Sequence, residues 1–219
     1  MNNLPKARIF IVDDHELIRR GLRGLVNSAA DMQACGEAGT AAQAMRLIPE
    51  CSPDLSVVDL TLPDGNGIEL IKRLRARDPA MRILVSSMHD EELFAERVLQ
   101  AGAMGYINKQ ETAERILDAI RRILKGKVFL SPRMSERLLR DIAGQPPALA
   151  QSPVERLSDR ELEVYELIGK GLRTAEIAES LNLSIKTIET YRAHIKHKLQ
   201  LESSAALTRS AVQWSLEAR

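Results

Sequence analysis

The sequence predicts an α/β domain built on a parallel sheet, followed by a small all-helical domain. Three observations carry this reading. Up to about residue 125, short apolar runs alternate five times with longer amphipathic stretches. Residues 127–153 then break the alternation, and from Val154 onward only helical periodicity remains. Five successive βα units with strands apolar on both faces need helices on each side of the sheet to cover them.

The first strand is ARIFIV, with Ile9 to Val12 buried, and Asp13, Asp14 and His15 close it. Ile18, Leu22, Leu25 and Val26 then recur at helical spacing. MQACGEA is the second strand and TAAQAMRLIP the second helix. LSVVDL is the third strand, and Ile68, Ile71 and Leu74 mark the helix after it. RILVSS leads to a helix lined by Phe94, Val98 and Ala101. The short strand GYIN leads to the last helix, marked by Ala113, Ile116, Ile120, Ile123 and Leu124. Beyond it, SPRMSERLLRDIAG predicts a short helix with Pro132 in its first turn and Gly144 just past its end. QPPALAQSP, with three prolines in nine residues, reads as a linker.

Composition narrows the function. In 219 residues, 44% are hydrophobic and 28% charged, and 31 basic against 30 acidic side chains leave a net charge of +1. No global field favours nucleic acid or membrane, so a charged partner must be read from a local patch. No apolar run approaches the length of a spanning helix, and the N-terminus lacks a signal stretch, which predicts a cytoplasmic protein. Cys35 and Cys51 are too few for a disulfide framework or a metal cluster and read as reduced, buried packing residues.

The carboxyl ends of the strands carry the first candidate site, because ligands of open parallel sheets collect there. Strand one delivers Asp13 and Asp14, strand three Asp59, strand four Ser87 and strand five Lys109. Neighbouring carboxylates raise one another's pKa unless a cation sits among them, and hard oxygen donors suit Mg²⁺. An ammonium opposite would neutralise an anion carried on a carboxylate. This chemistry suggests an aspartate that attacks a phosphoryl group and holds it as an acyl phosphate. The competing explanation is a solvated acidic rim at helix N-termini.

The segments IVDDH, VVDLTLPDGNGIEL, LVSSMHD and GAMGYINK make residues 6–125 resemble a receiver domain of bacterial two-component signalling, with the CheY-like, flavodoxin-type fold. The resemblance implies that Asp59 accepts phosphate from a sensor histidine kinase. It implies that Asp13, Asp14, Asp59 and the Thr61 backbone carbonyl hold Mg²⁺, and that Ser87 and Lys109 contact the phosphoryl oxygens. Tyr106 matches a switch aromatic that turns inward when the Ser87 hydroxyl moves toward phosphate. Pro63 and Gly67 match the loop after the phosphorylated strand, with Gly67 preceding the next helix. Gln110 stands where many receivers have proline, and Asn108 where an apolar residue is usual. His15 and His89 read as structural rim residues.

In the second domain, Ser158 followed by Glu161 is a capping box that starts a helix. Leu162, Tyr165 and Ile168 give it an apolar stripe, and Gly169 and Gly171 end it. A second helix spans about Thr174 to Leu181, with Ile177, Ala178 and Leu181 inward, and Asn182 and Leu183 make a tight turn. Ser184 caps a third helix running to about Leu199. Ile188, Tyr191, Ile195 and Leu199 share one face of it, leaving Lys186, Glu189, Thr190, Ala193, Lys196 and His197 on or near the other. Lys186, Arg192, Lys196 and Lys198 outweigh the single acid Glu189, so the positive charge is local. A helix of this kind, after a short helix and a tight turn, can enter the major groove. The four cations would bind phosphates, Glu189 and Thr190 could reach base edges, and Thr187 completes the DNA-binding set. His194 and His197 have no ligand-type neighbours and read as solvated or phosphate-facing.

Residues 154–215 resemble the LuxR-type helix-turn-helix of the NarL/FixJ class, carried by the run from LSDRELEV to HIKHKL. The resemblance implies a recognition helix at Ser184–Leu199. It also implies a fourth helix, SSAALTRSAVQW, that supports dimerisation, with Ala206, Val212 and Trp214 as packing candidates. Tyr191 replaces a common histidine, and Thr174 precedes alanine where many members have asparagine.

Together these readings describe a response regulator transcription factor, an enzyme only toward its own phosphoryl group. A receiver at 1–126, a linker at 127–153 and a DNA-binding domain at 154–219 would act through a population shift toward a DNA-binding dimer. Its partners would be a histidine kinase and promoter DNA. Two alternatives stay open: a phosphatase or transferase acting on an external substrate, and a helical domain that binds a protein instead of DNA.

Overall fold

A computed structural model describes residues 5–143 and 153–217. The chain divides into two compact units, Met1–Ile142 and Ala143–Arg219.

In the first unit, β1 (Ala7–Val12), β2 (Met32–Ala38), β3 (Leu55–Val58), β6 (Ile83–Ser87) and β7 (Gly105–Asn108) form a parallel sheet in the order β2-β1-β3-β6-β7. The last four residues of β1 and all of β3 and β6 are buried, as strands covered on both faces must be. The helices are α1 (Glu16–Ser28), α2 (Ala41–Cys51), α3 (Gly67–Arg77), α4 (Glu91–Gln100) and α5 (Ala113–Leu124). Leu22 and Val26 of α1 and Ile116, Ala119, Ile120 and Ile123 of α5 share one core with Ile9, Ile11 and Val57 of the sheet. The strand order reverses direction between β1 and β3, which places Asp13 and Asp59 side by side at the switch point. Cys35 and Cys51 are free thiols, half-buried.

Three features differ from the sequence expectation. Thr61–Leu62 (β4) and Gly65–Asn66 (β5) pair as a small antiparallel ribbon where a plain loop was expected. Its turn reaches back to α2, where the Asp64 carboxylate accepts from the N–H groups of Ala41 and Ala42 at 2.7 and 2.8 Å, a remote cap for that helix. Gly67 does not precede α3 but opens it, with Asn66 as N-cap accepting from Ile68 N–H at 2.7 Å. A Cβ at Gly67 would run into the Asp59 carbonyl and Leu60 Cα, so only glycine lets α3 begin this close to the site.

The third difference concerns residues 127–142. Phe129 pairs with the edge strand, accepting from Tyr106 N–H at 2.9 Å and donating to the Met104 carbonyl at 3.0 Å. Helix α6 (Pro132–Ile142) then packs on α4: Ser131 N–H donates to Glu91 Oε1 at 2.8 Å and Arg133 pairs with Glu92 at 2.7 Å. The short helix assigned to the linker therefore belongs to the first compact unit, because its cations find the acids in the first turn of α4. Gly144 and residues 145–152 lie outside the described residues.

The second unit begins with a 3₁₀ turn at Pro153–Arg156, followed by α7 (Asp159–Gly169), α8 (Thr174–Ser180), α9 (Ile185–Lys198) and α10 (Ser204–Glu217). The capping box forms as the sequence indicates, with Ser158 N–H donating to Glu161 Oε2 at 2.7 Å. Gly171, at φ +85°, turns the chain after α7, and Asn182, at φ 51°, turns it between α8 and α9. Leu162, Tyr165, Ile177, Ile188, Ile195, Leu207 and Ala211 are buried. On α10 the buried residues are Leu207 and Ala211, and Ala206 is half-buried. Val212 is exposed, while Trp214 is half-buried with its ring 5.5 Å from that of Tyr165.

Candidate functional site

Asp13, Asp59 and Lys109 come together at the carboxyl edge of the sheet. Asp59 follows β3 and its N–H donates to the Val12 carbonyl at 2.8 Å; Asp13 follows β1 and donates to the Ala38 carbonyl at 3.1 Å. Lys109 follows β7 and is held through its own N–H, 2.9 Å from the Ser87 carbonyl. Its Nζ lies 2.7 Å from both Asp13 Oδ2 and Asp59 Oδ2. All three side chains are almost fully buried. Burial pushes Asp59 up to about pKa 6, against the Lys109 charge and hydrogen bond that pull it down. Burial acts to lower Lys109, but the two carboxylates outweigh it and hold the ammonium above its ordinary value. The ammonium is therefore held in its charged form, while the Asp59 carboxyl keeps its proton more readily than an exposed aspartate.

Asp14 completes the acidic cluster at the rim, partly exposed. Asp13, Asp14, His15 and Asp59 each offer one ligand atom within 4.8 Å of the others. Three carboxylates beside one ammonium leave an excess of negative charge on hard oxygen donors, a set that fits a divalent cation such as Mg²⁺. The sequence reading left His15 outside this cluster; the structure sets its Nδ1 2.5 Å from Asp14 Oδ1. Its N–H also donates to Asp13 Oδ1 at 2.9 Å. Arg19 Nη1 donates to the Asp13 and Asp14 carbonyls at 2.7 and 3.0 Å and so fixes this corner. Asn108 also finds its reason here: its Oδ1 accepts from Gln110 N–H at 2.9 Å, turning the chain directly after Lys109.

Ser87 is fully buried at the end of β6, its Oγ accepting from His89 N–H at 3.3 Å. Tyr106 is buried and donates its hydroxyl to the His89 carbonyl at 2.7 Å, so the ring occupies the inward position. His89 Nε2 lies 3.0 Å from Thr61 Oγ1, and its ring stacks on Phe94 of α4 at 4.7 Å. His89 is thus buried between the two loops flanking Asp59. Nothing in sequence spacing distinguishes it from an exposed rim histidine.

On α9, Lys186, Glu189, Thr190 and Ala193 are exposed, and Thr187, Arg192 and Lys196 are half-buried. Among the described residues none of Lys186, Glu189, Arg192 and Lys196 forms an ion pair, so their charges face solvent. Thr190 Oγ1 donates to the Lys186 carbonyl at 3.0 Å, which occupies its hydroxyl proton and leaves its methyl outward. Lys198 differs from the sequence expectation. Its Nζ sits 2.6 Å from Glu161 Oε2, tying α9 to the capping box of α7. Burial acts to raise Glu161, but Lys198 and Ser158 together hold it below the ordinary carboxylate value. Lys198 is thus a strut between helices. His194 and His197 are exposed; His194 Nδ1 lies 3.7 Å from Glu161 Oε1.

Comparison with known proteins agrees with both halves. Residues 9–121 match the family described as response regulator receiver domain, and residues 155–211 match bacterial regulatory proteins of the luxR family. The chain is 33% identical over 213 residues to the oxygen regulatory protein NreC of Staphylococcus carnosus, covering 95% of this chain and 98% of that one. It is 36% identical over 197 residues to the DNA-binding transcriptional activator DevR/DosR of Mycobacterium tuberculosis, covering 90% and 89%. RcsB from Salmonella enterica serovar Typhimurium, bound to the promoter rprA in the presence of phosphomimetic BeF3−, aligns at TM-score 0.63 and 28% identity. That alignment covers 93% of this chain and 97% of the RcsB chain. A buried Asp–Asp–Lys cluster at the end of a parallel sheet, a solvent-facing basic helix after a tight turn, and whole-length similarity to transcriptional regulators all point one way. The chain belongs to the response regulators, as a transcription factor of the NarL class with a receiver domain and a LuxR-type DNA-binding domain.

Proposed function

We propose that Asp59 is the phosphoacceptor of this regulator and that its modification controls DNA binding by the second unit. The carrying observation is the Lys109 ammonium shared between Asp13 and Asp59 at 2.7 Å. It neutralises one carboxylate equivalent and points at the oxygen that would bear the phosphoryl group. An Asp59 oxygen attacks the phosphorus of a phosphohistidine on a sensor histidine kinase. The new P–O bond forms as the P–N bond breaks, and the leaving imidazole keeps the electron pair and takes up a proton. Asp13, Asp14, Asp59 and the Thr61 carbonyl would hold Mg²⁺, whose positive charge there screens the transferring oxygens. Lys109 moves its hydrogen bond from the Asp59 carboxylate to a phosphoryl oxygen. Ser87 turns its hydroxyl from His89 N–H to another, and Tyr106 is already seated in the inward position that accompanies this change. The same chemistry run with water as nucleophile resets the switch, so the chain acts catalytically only on itself.

In the second unit, Lys186, Arg192 and Lys196 would contact phosphates, with Lys198 anchoring the helix from behind. Glu189 and Thr190 would face base edges, Thr190 presenting a methyl to thymine, and Thr187 would complete the DNA-binding set. One helix reads few base pairs, so binding is by a dimer to paired half-sites. We assign the receiver role to residues 1–126, DNA binding to 154–219 and the connection between them to 127–153, whose first part, 127–142, is packed within the first unit. No helix among the described residues is long and apolar enough to cross a membrane, and the reading places the protein in the cytoplasm. The test is incubation with a small phosphoryl donor and Mg²⁺, followed by intact-mass measurement and capture of genomic DNA. Wild type gains one phosphoryl group and binds discrete sites more tightly, and Asp59→Asn does neither. An unchanged mass, or equal retention on random and genomic DNA, would overturn it.

A further inference from the structure

The geometry points to Cys35 and Cys51 as a two-thiol modification site, closed into an intrachain disulfide by a peroxide-class oxidant. The pair stands apart from the phosphoacceptor reading, since it sits toward the amino edge of the sheet, away from the rim that carries Asp59. β2 is the edge strand, and its pairing with β1 steps from Ala34 opposite Ile9 to Gly36 opposite Phe10. Cys35 is therefore the extra residue of a bulge, without a partner on β1, and can shift without breaking the ladder. Cys51 is the last residue of α2, the helix that packs on β2. Its thiol lies over the backbone next to Cys35. A Cβ at Gly36 would stand 2.9 Å from Cys51 Sγ, so glycine leaves the space that the sulfur occupies.

Arg8 fixes this corner. Its Nε and Nη2 donate to the Cys51 carbonyl at 3.2 and 2.7 Å, and its backbone N–H donates to Asp54 Oδ2 at 2.7 Å. The Cys35 thiol feels the charges of Cys51, Arg8 and Asp54, the same three residues, so it faces the end of α2. Burial first, and the neighbouring sulfur second, push Cys35 above the ordinary thiol value, which suits it to resolve an oxidised partner rather than to meet the oxidant. Both thiols are half-buried, within reach of a small oxidant. Cys51 loses its proton and attacks one peroxide oxygen; the O–O bond breaks, and the departing hydroxide takes that proton and leaves as water. The Cys35 sulfur then attacks the sulfenic sulfur of Cys51, the S–S bond forms, and the hydroxyl leaves with the Cys35 proton as a second water. The two thiols thus give two electrons and two protons to one peroxide. Disulfides of the cytosol are transient and sensory, and this one would pin the end of α2 to the edge strand.

The test treats the reduced full chain with hydrogen peroxide and reads non-reducing intact mass and a peptide map. Wild type should lose two hydrogen masses, with Cys35 joined to Cys51 in the same chain, and a dithiol should reverse the change. Cys35→Ser should stop at a Cys51 sulfenic acid that a dimedone probe captures, and Cys51→Ser should form no intrachain bond. Equilibration with glutathione, in buffer and in urea, measures how far the fold favours the bond. The folded chain should favour it by roughly 10–100-fold over the unfolded chain. By linkage, the first unit of the oxidised protein should then unfold about 3–10 °C above that of the reduced protein. Both serine variants should unfold like reduced wild type and show no rise on oxidation, which separates loss of the bond from loss of the fold. Thiols that both stay open to alkylation, or oxygen added without the loss of two hydrogens, would overturn the pairing. So would bonds found only between chains, or a bond no more favoured in the folded chain than in urea.

Discussion

Around Asp59 the charged groups are withdrawn from water and paired across the sheet, whereas on α9 the charges of Lys186, Glu189, Arg192 and Lys196 face solvent and pair with nothing among the described residues. The first site is assembled from the ends of β1, β3, β6 and β7, segments up to about 100 residues apart in sequence. The second lies on one helix of 14 residues. The difference is energetic as well as geometric. A buried carboxylate carries a desolvation cost that shapes its pKa and the stability of its domain, while solvated cations bear on stability little and on binding strongly. The receiver site stores free energy for a switch; the helix holds charge ready for a partner.

The largest effect should come from the close approach that α3 makes to the site. Gly67→Ala forces a Cβ into the Asp59 and Leu60 backbone and should destabilise the first unit by about 3 kcal/mol. Gly171→Ala, strained only by its φ of +85°, should cost the second unit about 1 kcal/mol. Hydrogen exchange in urea, resolved for each unit, measures both. Equal losses would mean that the receiver site is no more tightly built than the turn.

Asp59→Asn probes the stored cost directly. The folded pKa, about 6, lies above the unfolded value of 3.8, so the stability this group provides is complete below pH 3.8 and lost as pH rises through 6. An amide imitates the neutral form at every pH. The variant should gain about 1–3 kcal/mol at neutral pH, and the gain should vanish below pH 3.8. Thermal unfolding across that range checks the sign; a neutral-pH loss would show that the Lys109 pairing outweighs burial.

On α9 the pattern should reverse. Lys186→Ala and Lys196→Ala should each weaken DNA binding by about fivefold at physiological salt and lower the slope of log affinity against log salt by about 1. Stability should move by less than about 0.5 kcal/mol. Lys198→Ala, which loses its Glu161 partner, should instead cost stability and leave the salt slope nearly unchanged.

The smallest effect belongs to the capping box. Glu161 has a folded pKa below the ordinary glutamate value of 4.5, so its contribution is present above pH 4.5 and lost as pH falls through the lowered value. Glu161→Gln should cost the second unit about 1 kcal/mol at neutral pH and nothing in acid. Circular dichroism of α7–α10 unfolding against pH would show it.

Much of this was legible in the residue order. The apolar runs found all five strands of the main sheet, and Ser158 with Glu161 and Ser184 marked helix starts that the hydrogen bonds bear out. Where the reading departed, a remote partner was responsible. The residues of α6 met the acids of α4, Lys198 met Glu161, and Asp64 met the start of α2. Each depends on a neighbour 20 or more residues away.

Local periodicity and turn chemistry settled the strands of the main sheet, most of the helices, their order and the candidate charges, because those follow from bonding within a few residues of the chain. Which polar groups actually meet was decided by tertiary structure alone. Strand order set Asp13 beside Asp59, and packing buried His89 between Thr61 and Phe94. Burial turned an ordinary carboxylate into one poised near pH 6, since desolvation is a property of the surroundings and not of the residue.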